Sequence, residues 1–205
     1  MKVFITGIGT DVGKTIASAI VTEALEADYW KPIQAGDLEQ SDTHKVKNYC
    51  SNLQSKFHPN AYALNTPASP HWSAALDGIA LEVNKISEPI TANHIVIEGA
   101  GGVLVPLNET DCIIDLIKSD YKVIVVSRHY LGSINHTLLT IEALKNRKIN
   151  VAGIIFSGDE NKASEDLILK KTKVKCIGRI DDEPYFDANV IAYYADKFKE
   201  NLVNL

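Results

Sequence analysis

The first residues able to do chemistry lie in GIGTDVGKT, positions 7–15, directly after the apolar run Val3-Phe4-Ile5. Glycine takes positive φ at little cost, so successive N–H groups of such a loop can turn inward toward an anion. Where Gly7 ends a strand and Lys14-Thr15 opens a helix, the helix N-terminus adds its partial positive charge. Lys14 then reaches the β- and γ-phosphates of a nucleotide, and the Thr15 hydroxyl sits on Mg²⁺. Asp11, Val12, Gly13 and Ile16 join them as candidate nucleotide contacts. The spacing departs from the usual phosphate loop, because Gly7 and Gly13 are separated by five residues instead of four. A glycine-rich turn without a ligand is the alternative; strand, glycines, Lys-Thr and helix together favour a nucleotide.

A hydroxyl alone does not hold Mg²⁺, which takes one or two carboxylates beside phosphate and water oxygens. IVIEGAGG offers Glu98, expected at the C-terminal end of an apolar strand, where ligands bind in open α/β sheets. Gly99-Ala100-Gly101-Gly102 would let backbone come close to a ligand. A surface carboxylate at a strand end is the other reading of Glu98. Asp42, in QSDTHKV, is a second candidate ligand, but Ser41-Asp42 reads equally as a helix N-cap. Lys31, in YWKPIQAGD, precedes Pro32 and is therefore extended. It either points into the same crevice as Lys14, neutralising charge during phosphoryl transfer, or snorkels at the surface.

These groups need strand ends and helix starts to hold them. Val3–Ile5, Ile95–Ile97, Val123–Val126 and Val151–Phe156 are continuous apolar runs, as in buried parallel strands. Tyr29–Lys31 and Cys176–Gly178 are weaker strand candidates. Helical spacing covers Lys14–Ala27, Asn135–Lys148, Glu160–Lys171 and Ala188–Leu202. The alternation predicts a doubly wound α/β fold with a mostly parallel sheet and helices on both faces. Residues 52–88, with Pro59, Pro67 and Pro70 and many polar residues, read as a long crossover with a helix from about Ser73. The 205 residues are expected to form one domain.

Composition narrows the function classes. A net charge of -5 without a basic stripe argues against nucleic-acid binding. The three scattered cysteines, Cys50, Cys112 and Cys176, fit reduced, mostly buried thiols better than disulfides or a zinc site. Met1-Lys2 leads straight into a strand, and no apolar stretch nears the ~20 residues of a membrane span. The expectation is a cytoplasmic protein without a membrane partner.

GTDVGKT, YWKPIQAG, SD, ASPH, EGAGG and LGSINH, in this order, resemble the dethiobiotin synthetase family from Met1 to about Gly158. The resemblance implies a phosphate-loop NTPase fold and ureido ring closure. The substrates it implies are 7,8-diaminononanoate, CO₂ (or bicarbonate) and MgATP. By resemblance, Lys14 and Lys31 are catalytic, and Thr15, Asp42 and Glu98 hold the metal. Thr10, Lys31 and Gly101 lie near diamine and phosphates, and Gly99 and Ala100 belong to the nucleotide contacts. Leu131, Gly132, Ile134 and Asn135 meet the substrate's carboxylate tail across a homodimer interface, with Asn135 opening a helix. His71 and His136 fall in family-like segments and are expected to shape the site. Three places depart from the family. Ala35 stands where Ser or Thr is usual, with Gln34 or backbone as replacement. Ser157 stands where an Asn reads adenine, and Asp181-Asp182-Glu183 replaces a Pro-Trp-Leu-like ribose segment. A partition-type ATPase switch of the same fold is the competing reading; it usually carries a lysine where this chain has Gly9. Cobyrinate amidating enzymes add a glutaminase domain, for which 205 residues leave no room.

Overall fold

In the computed structural model, which describes residues 1–205, β1 (Lys2–Gly7) is the centre of a seven-stranded sheet. The other strands of that sheet are β2 (Asp28–Trp30), β4 (Phe57–His58), β6 (Ile95–Gly102), β7 (Tyr121–Arg128), β8 (Val151–Ser157) and β9 (Cys176–Ile180). Their order is β4-β2-β6-β1-β7-β8-β9, and every pairing is parallel. The doubly wound reading holds. A separate parallel pair joins β3 (Ile33–Ala35) to β5 (Tyr62–Leu64).

The helices are α1 (Lys14–Leu25), α2 (Asp42–Tyr49), α3 (Pro70–Asp77), α4 (Ser133–Asn146), α5 (Lys162–Thr172) and α6 (Ala188–Val203). Parallel strands need crossovers, and these are right-handed. Because β2 lies on one side of β1 while β8 and β9 lie on the other, α1 covers one face and α4 and α5 the opposite face. Accordingly α1 packs on α2 and α6, whereas α4 packs on α5. Val3, Phe4, Ile5, Val123 to Val126 and Ile154 to Phe156 are fully buried, as double-sided burial of apolar runs requires. No helix is long and apolar enough to cross a membrane.

Several expected boundaries move for local reasons. The crossover helix begins at Pro70, ahead of Ser73, since proline suits the first helical position. The same segment also contributes β4 and β5, too short to announce themselves by periodicity. The helix after β7 starts at Ser133: Gly132, with φ of 103°, turns the chain into it, so Asn135 is its third residue and does not open it. Asn161 caps α5 by accepting from the Ser164 N–H at 3.1 Å, which delays that helix to Lys162. Cys50, Cys112 and Cys176 are free thiols but half-buried, less enclosed than expected.

Candidate functional site

A cleft of about 810 Å³ opens at the C-terminal ends of the central strands. Its floor is the loop between β1 and α1. Gly13, at φ 91°, is the N-cap of α1, and Asp11 also has positive φ, at 55°. A Cβ on Gly13 would be strained there and would sit 3.0 Å from Ser157 Oγ. The loop therefore carries its bends in αL residues and leaves the first N–H groups of α1 without intrahelical partners, as an anion cradle does. Lys14 lies along this loop, donating to the Gly9 carbonyl at 2.8 Å. Thr10, Asp11, Gly13, Lys14, Thr15 and Ile16 line the cleft, while Val12 is 2% exposed and packs into the core. Val12 thus serves the loop through its backbone.

The opposite wall holds a buried ion cluster. Trp30 pairs in register with Ile97, so Lys31, one residue on, comes level with Glu98 on the neighbouring strand. Lys31 Nζ donates to Glu98 Oε1 at 3.0 Å and to Asp42 Oδ2 at 2.5 Å. Thr15 Oγ1 donates to the same Glu98 oxygen at 3.1 Å, and Tyr29 OH donates to Glu98 Oε2 at 2.8 Å. Lys45 adds a looser ion pair to Asp42 at 3.5 Å. Lys31 is 5% exposed and Glu98 1% exposed, so neither is a surface residue. Glu98 lies inside β6 and not at its end, because Gly99 to Gly102 continue the strand through a bulge as far as the pairing of Gly102 with Gly7. The two readings of Asp42 prove compatible. Ser41 caps α2, accepting from His44 N–H at 3.4 Å, and Asp42, the first helical residue, is thereby aimed at Lys31.

Lys31, Lys14 and the more exposed Lys45 face the carboxylates of Asp42 and Glu98. Burial pushes Lys14 down to about 8, with Lys31 adding repulsion and Glu98 opposing the drop. Burial also works against the Lys31 charge, but Glu98 and Asp42 outweigh it and raise Lys31 above its ordinary value. Burial disfavours the Asp42 charge too, and Lys31 overcomes that, holding the carboxyl below its usual range. Burial, with the Glu98 charge behind it, pushes the Tyr29 phenol well above its ordinary value, so it remains a proton donor.

Thr15, Asp42 and Glu98 present one hydroxyl and two carboxylates around Lys31 Nζ. That oxygen-only set fits a hard divalent cation such as Mg²⁺. Ala100 and Gly101 line the cleft, with Gly101 at φ 65° and Thr10 Oγ1 3.6 Å from where its Cβ would be. Gly99 does not line the cleft; a Cβ there would press on Phe4 and Ile113 at 3.2 Å. Leu131, Gly132, Ile134 and Asn135 also lie outside the cleft, at the start of α4, with Leu131 fully exposed. His71 and His136 are exposed and line no part of it, and His136 Nδ1 is held by Tyr130 OH at 2.8 Å.

Gln34 lines the cleft, yet its amide is committed: Oε1 accepts from the Asp42 N–H at 3.3 Å and Nε2 donates to the Gly36 carbonyl at 3.0 Å. It braces α2 and does not stand in for a hydroxyl at Ala35. Ser157 ends β8 beside Gly13, and just past it Arg128 forms a double hydrogen bond to Asp182 at 2.9 and 3.0 Å. Tyr29, Lys45 and the wall formed by Pro67, Ala68, Ser69 and Pro70 escaped the sequence reading as site residues. The ASPH motif spans most of that wall and YWKPIQAG begins at Tyr29, but neither segment assigned these residues a role.

Comparison with known proteins gives a consistent picture. A family profile described as "AAA domain" matches residues 1–190. An ATP-dependent dethiobiotin synthetase BioD of Christiangramia forsetii is 62% identical over 202 residues, 98% of each chain. Its counterpart in Cytophaga hutchinsonii is 50% identical, again over 98% of both chains. Among solved structures, a ParA family ATPase from Chlorobium tepidum aligns with TM-score 0.57 at 13% identity, covering 98% of this chain and 96% of that one. The septum site-determining protein MinD from Pyrococcus horikoshii gives 0.58 at 14%, covering 98% and 90%. At those identities the two structures share the fold alone.

Proposed function

The chain belongs to the ATP-dependent dethiobiotin synthetase family, and from that premise we propose that it closes the ureido ring of dethiobiotin from 7,8-diaminononanoate, CO₂ and MgATP. It is a ligase of biotin biosynthesis and binds ATP. The residues 1–205 act as one catalytic domain. One amine adds to CO₂, losing a proton, and gives a carbamate. A carbamate oxygen attacks the γ-phosphorus, the bond to ADP breaks, and a carbamic–phosphoric anhydride forms. The second amine attacks the carbamate carbon and expels phosphate. Carbon in a carbamate resists attack until one oxygen leaves as phosphate, which is why the nucleotide is required.

The observation that carries this reading is the Lys31 ammonium, held between Asp42 and Glu98 across the cleft from Lys14. In the reaction Lys14 and the loop N–H groups bind the phosphates, with Asp11, Val12, Gly13 and Ile16 framing them. Lys31 stabilises the charge that builds on the carbamate and γ-phosphoryl oxygens. Thr15, Asp42 and Glu98 would hold Mg²⁺, which when bound neutralises phosphate charge. Gly99, Ala100 and Gly101 bring backbone to the nucleotide and, with Thr10, to the diamine. Leu131, Gly132, Ile134 and Asn135 serve the substrate's carboxylate tail in a homodimer. Full exposure of Leu131, with Tyr130 and Leu139 also exposed nearby, supports an interface there. We place the enzyme in the cytoplasm, with no nucleic-acid or membrane partner.

Phosphate release from MgATP, measured with and without the diamine and bicarbonate, tests this. Diamine-dependent release with dethiobiotin seen by mass spectrometry supports it. Diamine-independent hydrolysis would promote the switch ATPase reading, which likeness of fold alone does not favour.

A further inference from the structure

We propose that Tyr29 is a positioning residue: its hydroxyl fixes one oxygen of Glu98 so that the other is presented to a divalent cation beside the nucleotide. The inference rests on the metal role given to Glu98 above. Tyr29 is fully buried on β2, and its register partner on β6 is Val96, two residues short of Glu98. The phenol runs along the strands across that gap to Glu98 Oε2, at 2.8 Å. Phe57 on β4 flanks the ring, with centroids 6.4 Å apart.

The two carboxylate oxygens are thus unlike. Oε1 is held by Thr15 and Lys31, groups that line the cleft and have work to do there. Oε2 is held by Tyr29 alone, a group with no route to the cleft. If Oε1 turns to a cation, Lys31 and Thr15 must loosen their hold, and only the Tyr29 bond keeps the carboxylate from rotating about its last torsion. Hydrogen bonds to a ligating carboxylate commonly change metal affinity by about 10–100-fold. A core tyrosine that merely sought an acceptor would contribute to folding and leave the cation affinity alone.

Tyr29→Phe separates the two roles, since it removes one oxygen and keeps the ring. Mn²⁺ binding to the protein with ADP, followed by electron paramagnetic resonance, should weaken about tenfold. Binding of ADP without metal should be unchanged, which also certifies the fold. The Mg²⁺ concentration for half-maximal dethiobiotin formation should rise by the same factor, with kcat recovering at high Mg²⁺. A control, Phe57→Leu, loosens the same packing without touching Glu98; it should lower the melting temperature and leave Mn²⁺ affinity as it was. Unchanged Mn²⁺ affinity in Tyr29→Phe, or an equal loss in Phe57→Leu, overturns the proposal. Because Mn²⁺–ADP binding needs no diamine, its result stands apart from whether the wild type makes dethiobiotin.

Discussion

Replacing Lys31 by alanine probes stability and chemistry at once. The ammonium sits 2.5 Å from Asp42 and 3.0 Å from Glu98, in a residue only 5% exposed. Its removal leaves the Glu98 carboxylate buried, with two hydroxyl donors and Lys14 as the cation still within reach of its field. Breaking a buried pair from one side costs about 3–5 kcal/mol. The Asp42 side chain keeps 18% exposure and Lys45 remains beside it, so the low end applies, about 3 kcal/mol. In a chain of this size each kcal/mol moves Tm by about 2–4 °C, giving a drop of about 6–12 °C in thermal unfolding. Adding Glu98→Gln removes the orphaned charge and should restore most of that loss. Turnover should fall by about 10²–10³, the usual cost of one charge-stabilising group, while ADP affinity stays, because the phosphate loop is untouched. Calorimetric titration and single-turnover phosphate release read the last two quantities. A variant that melts with the wild type, or one whose activity loss is entirely a loss of ADP binding, refutes the reasoning.

Lys14→Ala should lose ADP binding and all turnover yet melt within a few degrees of wild type, since its one protein hydrogen bond is to the Gly9 carbonyl; retained nucleotide affinity would remove it from the phosphate site. Asp28, buried far from the cleft, accepts from His58 at 2.9 Å, Lys56 N–H at 3.1 Å and Asn93 at 3.2 Å. Burial opposes its charge, but these donors win and hold its carboxyl below the ordinary value. A depressed carboxyl stabilises the fold above its unfolded value, near about 4, and loses that contribution as pH falls through the folded value. The gap in urea midpoint between wild type and Asp28→Asn should therefore narrow progressively as pH falls below about 4; a gap that widens on acidification below about 4 contradicts this. Ser157, at the end of β8 beside Gly13, has only a short hydroxyl to offer a base, and the Asp182 carboxylate is committed to Arg128. Other nucleoside triphosphates should accordingly support turnover at rates near that of ATP, and strict preference for ATP in a side-by-side assay would show that the base is read after all.

What the sequence disclosed, and what it hid, divides along a physical line. Gly7, Gly13, Lys14 and Thr15 could be read because a phosphate loop is assembled from consecutive residues, each with a local conformational reason to be there. The strands of the central sheet could be read because burial on both faces forces unbroken apolar runs. The pairing of Lys31 with Asp42 was half legible, since each residue had a local reading and an alternative. The register of β2 on β6, a tertiary matter, brought Lys31 level with Glu98, and the local Ser41 cap aimed Asp42 at it. Asn135 was placed at a helix start because helical spacing was read from there, when Gly132 with its positive φ begins the turn three residues earlier.

Tyr29 stood first in YWKPIQAG, but no role for it was legible. In a three-residue strand it reads as one more core aromatic, and its meaning comes from β2 lying against β6, strands far apart in the chain. A parallel sheet orders strands by crossovers, so residues that meet across it share no spacing rule. The same holds for Glu98, whose type suggested a ligand but whose burial depends on β1 and β2 flanking it. Groups assigned to a ligand are therefore the ones a sequence betrays, and the groups that hold those in place emerge only once the strand register is known.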